Sequence, residues 1–264
     1  MVLELSIIAV VLLVVAAFAA GWVDAVVGGG GLIQLPALLI GLPSDTRPAT
    51  VLGTNKLSSV WGTATSSVTY AIKIRPDWRT IVPLVVTAAA GSAIGAQAAK
   101  FLPKQYFTPI VLVALIGVGI YTWRKPQLGL VSVRKHAGGA HYGRTAAIGL
   151  GIGAYDGILG PGTGSFFVIL LVSVLGYGFL EASAKAKIAN LVTNLSAIVV
   201  FGLHGSVLWK LGLMMGAANL VGGFLGARMA INRGNTFVRK VFLVVVAGLI
   251  IKLAYDAVAQ FWPQ

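Results

Sequence analysis

The chain has 264 residues, of which 57% are hydrophobic and only 10% are charged. This composition excludes an ordinary soluble domain, and the long apolar runs do not alternate as membrane barrel strands do, so a polytopic helical membrane protein is predicted. The net charge of +13 does not indicate a nucleic-acid partner, because the Lys and Arg residues lie mostly in short connections between apolar runs.

Ten apolar segments are predicted to form an all-α membrane protein. In chain order they are 3–23, 32–42, 50–70, 80–101, 106–123, 145–160, 165–178, 186–203, 209–227 and 238–258. No basic region precedes the first segment, which therefore predicts a membrane helix rather than a cleaved signal. Segments 32–42 and 165–178 span only ~16–21 Å, against a hydrocarbon core of ~30 Å. We interpret them as half-helices that complete two broken elements, which gives eight to ten membrane segments in all.

Each half of the chain contains a glycine-rich break. The first is Gly28, Gly29, Gly30 and Gly31, and the second is Gly160, Pro161, Gly162, Thr163 and Gly164. A glycine inside a helix costs ~1 kcal/mol relative to alanine, so four in succession end it. Backbone groups freed at membrane depth must be satisfied by protein or line a wet cavity, and paired breaks are typical of transport sites. The alternative is that the glycines only permit close packing.

The two halves align as an internal duplication. Asp24 and Asp156 are 132 residues apart, and further along Lys56 and Lys187 are 131 residues apart. A nearly constant offset over a long stretch indicates a repeated unit.

The distribution of charge predicts how the two units are oriented. If each unit crosses the membrane an odd number of times, the most basic connections, 71–79, 124–144 and 228–240, share one side, as the positive-inside rule prefers. We therefore predict two inverted repeats of about five segments, 1–123 and 145–264. They are joined by the cytoplasmic connection 124–144, and both termini are outside.

Two carboxylates are candidates for proton coupling. Asp24 and Asp156 are among only seven acidic residues and lie four residues before the glycine breaks. Burying a carboxylate in a bilayer costs at least ~2.5 kcal/mol, so such groups are usually protonated, paired or wet. The alternative is that each caps backbone N–H groups freed at the break.

Donors suited to an anion follow each break. Backbone N–H groups at helix ends bind anions, although the loops match no phosphate-loop pattern. Lys187, Asn190 and Asn194 fall on one helical face. The predicted substrate-binding residues are Gly28, Gly29, Gly30, Gly31, Asn55, Lys56, Gly160, Gly162, Thr163, Gly164, Lys187, Asn190 and Asn194. The alternative is that lysines snorkel to the interface while Asn and Thr join helices.

Other chemistry has little support in the sequence. We expect no cofactor and no metal, because the spacing of His136, His141 and His204 suits no ligand set. No nucleophile with a base is visible, so we expect no enzyme. Small residues at Gly91 and Gly95, and again at Gly222 and Gly226, indicate helix packing within the bundle or a homodimer contact.

Over nearly its whole length the chain resembles the sulfite exporter TauE/SafE family of bacterial membrane transporters, also known as the 4-toluene sulfonate uptake permease family. The resemblance rests on Gly21-x-x-Asp24-x-x-x-Gly28-Gly29-Gly30-Gly31, Pro36, Thr54-Asn55-Lys56 and Asp77-Trp78-Arg79, with a weaker second copy at 160–164, Lys187 and Asn194.

The resemblance implies secondary transport of a sulfur-containing or organic anion across the bacterial cytoplasmic membrane, coupled to protons. Sulfite, sulfoacetate and other sulfonates are the implied substrates. A passive anion channel, with the glycine loops lining a selectivity filter, is the alternative.

Overall fold

The computed structural model describes residues 5–43, 45–99, 116, 120, 123–124 and 128–261. Every element within these ranges is helical: α1 is Ile7–Val27, α2 Gly31–Gly41, α3 Pro48–Ile74, α4 Trp78–Ala98, α5 Gly138–Ile158, α6 Thr163–Leu170, α7 Phe179–Leu203 and α8 Trp209–Phe261. A π-helical turn, Leu171–Leu175, extends α6. Apart from residues 116, 120 and 123, the predicted segment 106–123 lies outside the described residues.

The prediction of an all-α membrane protein is confirmed. Within the described residues, four helical stretches are long and apolar enough to cross a bilayer, namely α1, α4, α7 and the part of α8 from Trp209 to Gly248. Large apolar side chains such as Ile7, Val86 and Leu203 are exposed on them. Surfaces of this kind are stable against lipid and costly in water.

Three helix boundaries differ from those predicted from apolar content. α5 begins at Gly138 rather than 145, and α7 begins at Phe179 rather than 186. The early turns contain polar groups that the fold buries and pairs, such as Lys185, whose ammonium lies 2.8 Å from Glu181. The last two predicted segments join in α8, which is interrupted at Gly234, where φ is 71°.

The two short helices return along the helices that precede them. Gly30, just before α2, packs on the carbonyl of Ala20, and Gly41 at its other end packs on Leu13. α2 is therefore antiparallel to α1 and covers only ~16 Å of its length. The extended α6 likewise ends beside the start of α5, because the N–H of Val133 donates to the carbonyl of Gly176 at 2.8 Å.

Helices of the first half pack against helices of the second. The most extensive contacts join α1 to α8 and α4 to α5, followed by contacts of α3 with α8, α3 with α7 and α4 with α7. Gly222 and Gly226 allow α8 to approach the backbone of α1, and Gly91 and Gly95 allow α4 to approach that of α5. These four glycines thus serve helix packing within the chain.

Three connections meet on one face of the bundle, which we call the basic face: 75–77, 128–137 and 176–178. A guanidinium nitrogen of Arg134 lies 3.5 Å from Asp77 Oδ2. The side chain of Asn235 donates to the carbonyl of Leu130 and accepts from the N–H of Leu180, both at 2.7 Å. The break in α8 therefore lies on this face as well.

The connection 204–208 lies at the opposite end of the bundle, which we call the opposite face. The N–H of Leu208 donates to Thr54 Oγ1 at 3.0 Å, near the start of α3. Leu13, Leu42 and Val207 share one apolar cluster there. α1 therefore runs towards the basic face, whereas α5 runs away from it.

Candidate functional site

The two glycine-rich loops are in direct contact. Ser165 donates from its N–H to the carbonyl of Gly28 at 3.1 Å and from its hydroxyl to the carbonyl of Val27 at 2.9 Å. Gly28 has a φ of 83°, and a Cβ there would overlap the backbone of Gly164. The second half therefore satisfies carbonyls that the first break frees, as buried irregular backbone requires.

Both half-helices begin at this contact. The residues preceding them, Gly30 and Gly162, supply no side-chain cap to α2 or α6. The first N–H groups of a helix have no partner within it, and the helix dipole adds positive potential at that end. Several of these N–H groups already donate to loop carbonyls, those of Leu32 and Ile33 in α2 and those of Thr163 and Ser165 in α6. The positive ends of two helix dipoles therefore lie at the junction of the loops, an arrangement suited to negative charge.

Two buried ion pairs cross between the halves of the chain. The ammonium of Lys56 lies 2.5 Å from Asp156 Oδ1. That of Lys187 donates to Asp24 Oδ2 at 2.9 Å. The side chains of Lys56 and Asp156 are 3% and 1% exposed, and those of Lys187 and Asp24 are 0% and 13% exposed. Both lysines predicted for the substrate thus contact the carboxylates predicted for proton coupling.

Each ion pair lies beside one loop. A Cβ on Gly160 would meet the ammonium of Lys56 at 3.4 Å, and Gly30 is packed against the Cβ of Asp24. Within the described residues, Oδ2 of Asp156 and Oδ1 of Asn55 have no hydrogen-bond partner although both are buried. Buried polar atoms without partners are uncommon, so the Asp156 carboxylate is a candidate for protonation, and both oxygens are free to accept a hydrogen bond from a ligand.

The asparagines on α7 are less directly tied to the loops. Asn194 donates to Thr63 Oγ1 at 3.3 Å and so joins α7 to α3, which was the alternative interpretation of its role. Asn190 accepts a bond of 3.4 Å from Thr193 on its own helix. Both side chains are buried, and they follow Lys187 by one and two helical turns.

The structure adds two residues that the sequence interpretation missed. Gln34 donates to the carbonyl of Asn55 at 3.3 Å, and Asn219 donates to Gln34 Oε1 at 3.0 Å and to the carbonyl of Ala17 at 2.9 Å. These bonds join α1, α2, α3 and α8 beside the first loop. Gln34 is the one polar side chain in α2, and that isolation is the signal that could have identified it.

Comparison with known families gives one match, to the family described as sulfite exporter TauE/SafE, over residues 13–253. A probable membrane transporter protein, ORF9 of Sinorhizobium sp., is 37% identical over 245 residues, covering 92% of each chain. Another from Haemophilus influenzae is 34% identical over 240 residues, 90% of this chain and 92% of that one. The probable membrane transporter protein YfcA of Escherichia coli K12 is 30% identical over 250 residues, 92% of this chain and 89% of that one. No solved structure matches the chain.

Proposed function

Because the chain belongs to the sulfite exporter TauE/SafE family of membrane transporters, we propose that it carries a sulfur-containing or organic anion across the bacterial cytoplasmic membrane by proton-coupled alternating access. Sulfite, sulfoacetate or another sulfonate is the proposed substrate. The observation that carries the proposal is the crossed pair of buried ion pairs, Lys56 with Asp156 and Lys187 with Asp24, on either side of touching glycine loops.

Charge balance gives the reason for proton coupling. Two lysines and two aspartates make the buried cluster electrically neutral. An anion entering alone would leave uncompensated negative charge in a poorly solvating interior, which is costly. An anion entering with a proton keeps the cluster neutral. The proton neutralises Asp156 or Asp24, and the released lysine then pairs with the anion.

The anion would bind where the two half-helices begin. Its oxygens would accept from the N–H groups of Gly31 in α2 and Gly164 in α6, with Lys56 and Lys187 supplying charge. Asn55, Asn190 and Asn194 complete the proposed set of side-chain donors. The direct contact between the loops favours a carrier over a passive channel, in which loops would line a continuous pore.

The pairing of helices supports two inverted repeats, an architecture that many alternating-access transporters have. In the alignment of the two halves, α1 corresponds to α5 and α8 corresponds to α4. The contact of α1 with α8 is therefore equivalent to that of α5 with α4, and the pair of Lys56 with Asp156 is equivalent to that of Lys187 with Asp24. The first half begins at the opposite face and the second at the basic face. We place the basic face in the cytoplasm by the positive-inside rule. A homodimer remains a prediction. Because other helices of the same chain cover Gly91, Gly95, Gly222 and Gly226, a dimer contact would have to use other surfaces.

Uptake into proteoliposomes tests the proposal. Purified protein should take up labelled sulfite or sulfoacetate faster when a pH gradient drives protons in the same direction, and rates should remain those of a carrier. Asp156→Asn or Asp24→Asn, whichever removes the carboxylate that takes up the proton, should remove the effect of the gradient, and Lys56→Ala should remove uptake. Arg79→Gln, which alters an exposed cation on α4, is the matched control. The mechanism would be contradicted by an uptake rate that does not change with the pH gradient, or by uptake that persists in Lys56→Ala and Lys187→Ala.

A further inference from the structure

The N-terminus of α5 is an uncapped helix end on the basic face. Ala137 precedes the helix and supplies no side-chain cap. The first N–H groups, those of Gly138, Gly139 and Ala140, therefore have no partner within the helix. Among the residues that the structure describes, a Cβ on Gly138 or Gly139 would meet nothing within 4 Å, so this part of the chain leaves the backbone open to a ligand.

A cavity of about 320 Å³ lies at this helix end. Its lining includes Gly138, Arg134, His136, His141 and Asp77. Asp77 is already engaged, because its carboxylate accepts from the N–H of Arg79 and from Thr80 Oγ1, both at 3.1 Å, and lies 3.5 Å from Arg134. The free hydrogen-bonding capacity of the cavity is therefore mainly that of donors and cations.

His141 provides a second and independent sign of a ligand. Its side chain is 5% exposed, and Nδ1 has no hydrogen-bond partner within the part of the chain that the structure describes. Nε2 lies 3.0 Å from Thr80 Oγ1, whose single proton is donated to Asp77. The Tyr177 hydroxyl lies 3.3 Å from Nε2 and 3.1 Å from Thr80 Oγ1, so the neutral ring can either donate from Nε2 to Thr80 or accept there from Tyr177. The imidazolium carries a proton on both nitrogens, so in the charged ring Nδ1 is a donor in either case.

We propose that this cavity binds a small oxyanion such as sulfate or inorganic phosphate, held by the N–H groups at the start of α5, by Arg134 and by the imidazolium of His141. Helix N-termini attract oxyanions through their free N–H groups and dipole, and guanidinium groups bind them through paired, charge-assisted hydrogen bonds. The site is on the basic face, away from the glycine loops, and does not depend on what the transporter carries.

Binding at this site takes up a proton. Burial lowers the pKa of His141, and Arg134 lowers it further, against an opposing effect of Asp77. His136 and Lys185 also lower the pKa of His141, and the Tyr177 hydroxyl faces the ring 3.3 Å from Nε2, so without a bound anion the neutral ring is favoured. A bound anion favours the charged ring, and by linkage the charged ring favours the anion. Affinity should therefore rise as pH falls.

Equilibrium dialysis of labelled inorganic sulfate against the purified full-length protein tests the site, with phosphate as competitor. We expect tighter binding at pH 6 than at pH 8 and a loss of about tenfold or more in Arg134→Gln, the scale of one charge-assisted hydrogen bond. Gly139→Pro, which removes one N–H at a position where a helix tolerates proline, should weaken binding, whereas Gly139→Ala should not.

Two substitutions of His141 separate its ring nitrogens. His141→Asn keeps an amide near the position of Nδ1 and should retain sulfate without the pH dependence. His141→Gln keeps an amide near the position of Nε2, where it faces Thr80. This variant should weaken binding because no donor remains near the position of Nδ1. Thermal unfolding without sulfate checks that each variant is folded. The proposal is wrong if Arg134→Gln and Gly139→Pro bind as the unaltered protein does. It is also wrong if Lys56→Ala alone abolishes binding, because the sulfate would then be at the glycine loops.

Discussion

Lys56 and Lys187 occupy matching positions in the two halves, but their partners differ in solvation. Asp156 is 1% exposed, whereas Asp24 is 13% exposed. A charge left unpaired in a fully buried position is much more costly than one that water can reach. The two pairs therefore share one geometry without contributing equally to stability.

Lys56→Met is expected to lower the free energy of unfolding by about 3–5 kcal/mol, the range for a buried pair that loses one partner. Lys187→Met should cost less, because water can partly solvate Asp24. Adding Asp156→Asn to Lys56→Met should recover part of the loss. Denaturant unfolding in mild detergent measures all three. Equal losses in the two lysine variants, or no recovery in the double variant, would show that burial does not decide the cost.

At the scale of single residues, the sequence predicts the charged groups of the candidate site but not which of them pair with each other. Asp24 and Asp156 are predicted as functional because ionisable residues in apolar segments are rare, and Lys56 and Lys187 because they occupy matching positions in the two halves. Their crossed pairing could not be predicted, because it depends on how α3 meets α5 and how α7 meets α1. Local spacing contains no information on contacts of such long range.

At the scale of elements, the contact between the glycine loops makes two neighbouring glycines unequal. Gly28 has a φ of 83° and no room for a Cβ beside Gly164, whereas a Cβ on Gly31 would meet Pro161 at an ordinary 3.4 Å. A left-handed φ is strained for residues other than glycine.

Gly28→Ala is expected to abolish transport and lower the melting temperature, because the loops must separate to admit the methyl group. Gly31→Ala should change the melting temperature little and serves as the matched control. Thermal unfolding followed by uptake into proteoliposomes measures both effects. If Gly28→Ala melts and transports as Gly31→Ala does, the loops do not pack as the structure has them.

Helix length was easier to predict from the sequence than helix ends. The half-helices were expected because 32–42 and 165–178 are too short to cross a bilayer, and α2 and α6 with its π-helical turn match them closely. Apolar content predicts starts for α5 and α7 that are too late in the chain, because polar residues such as His141 and Lys185 are also typical of connections. Only their partners in the fold show that they belong to helices. Tertiary contacts, rather than apolar content, set these boundaries.

At the scale of the whole molecule, the described residues of neither half contain the complete candidate site. Each contributes one lysine, one aspartate and one glycine loop, and both ion pairs join the halves. Rocking of one half against the other would change the distance across both pairs together. In the proposed mechanism, proton uptake at a carboxylate weakens one of these ion pairs. Proton uptake thereby couples anion binding to the motion that exposes the site.

The proposed inverted arrangement predicts that equivalent positions of the two halves face opposite sides of the membrane. Arg79 and Lys210 follow the matching tryptophans Trp78 and Trp209, both are exposed, and the chain contains no native cysteine. In intact cells a membrane-impermeant maleimide should label Lys210→Cys, whereas Arg79→Cys should react only after permeabilisation. The unaltered chain, without cysteine, is the control. Labelling of both variants from one side would mean that the repeats are parallel, and exchanged labelling would reverse the orientation while keeping the inversion.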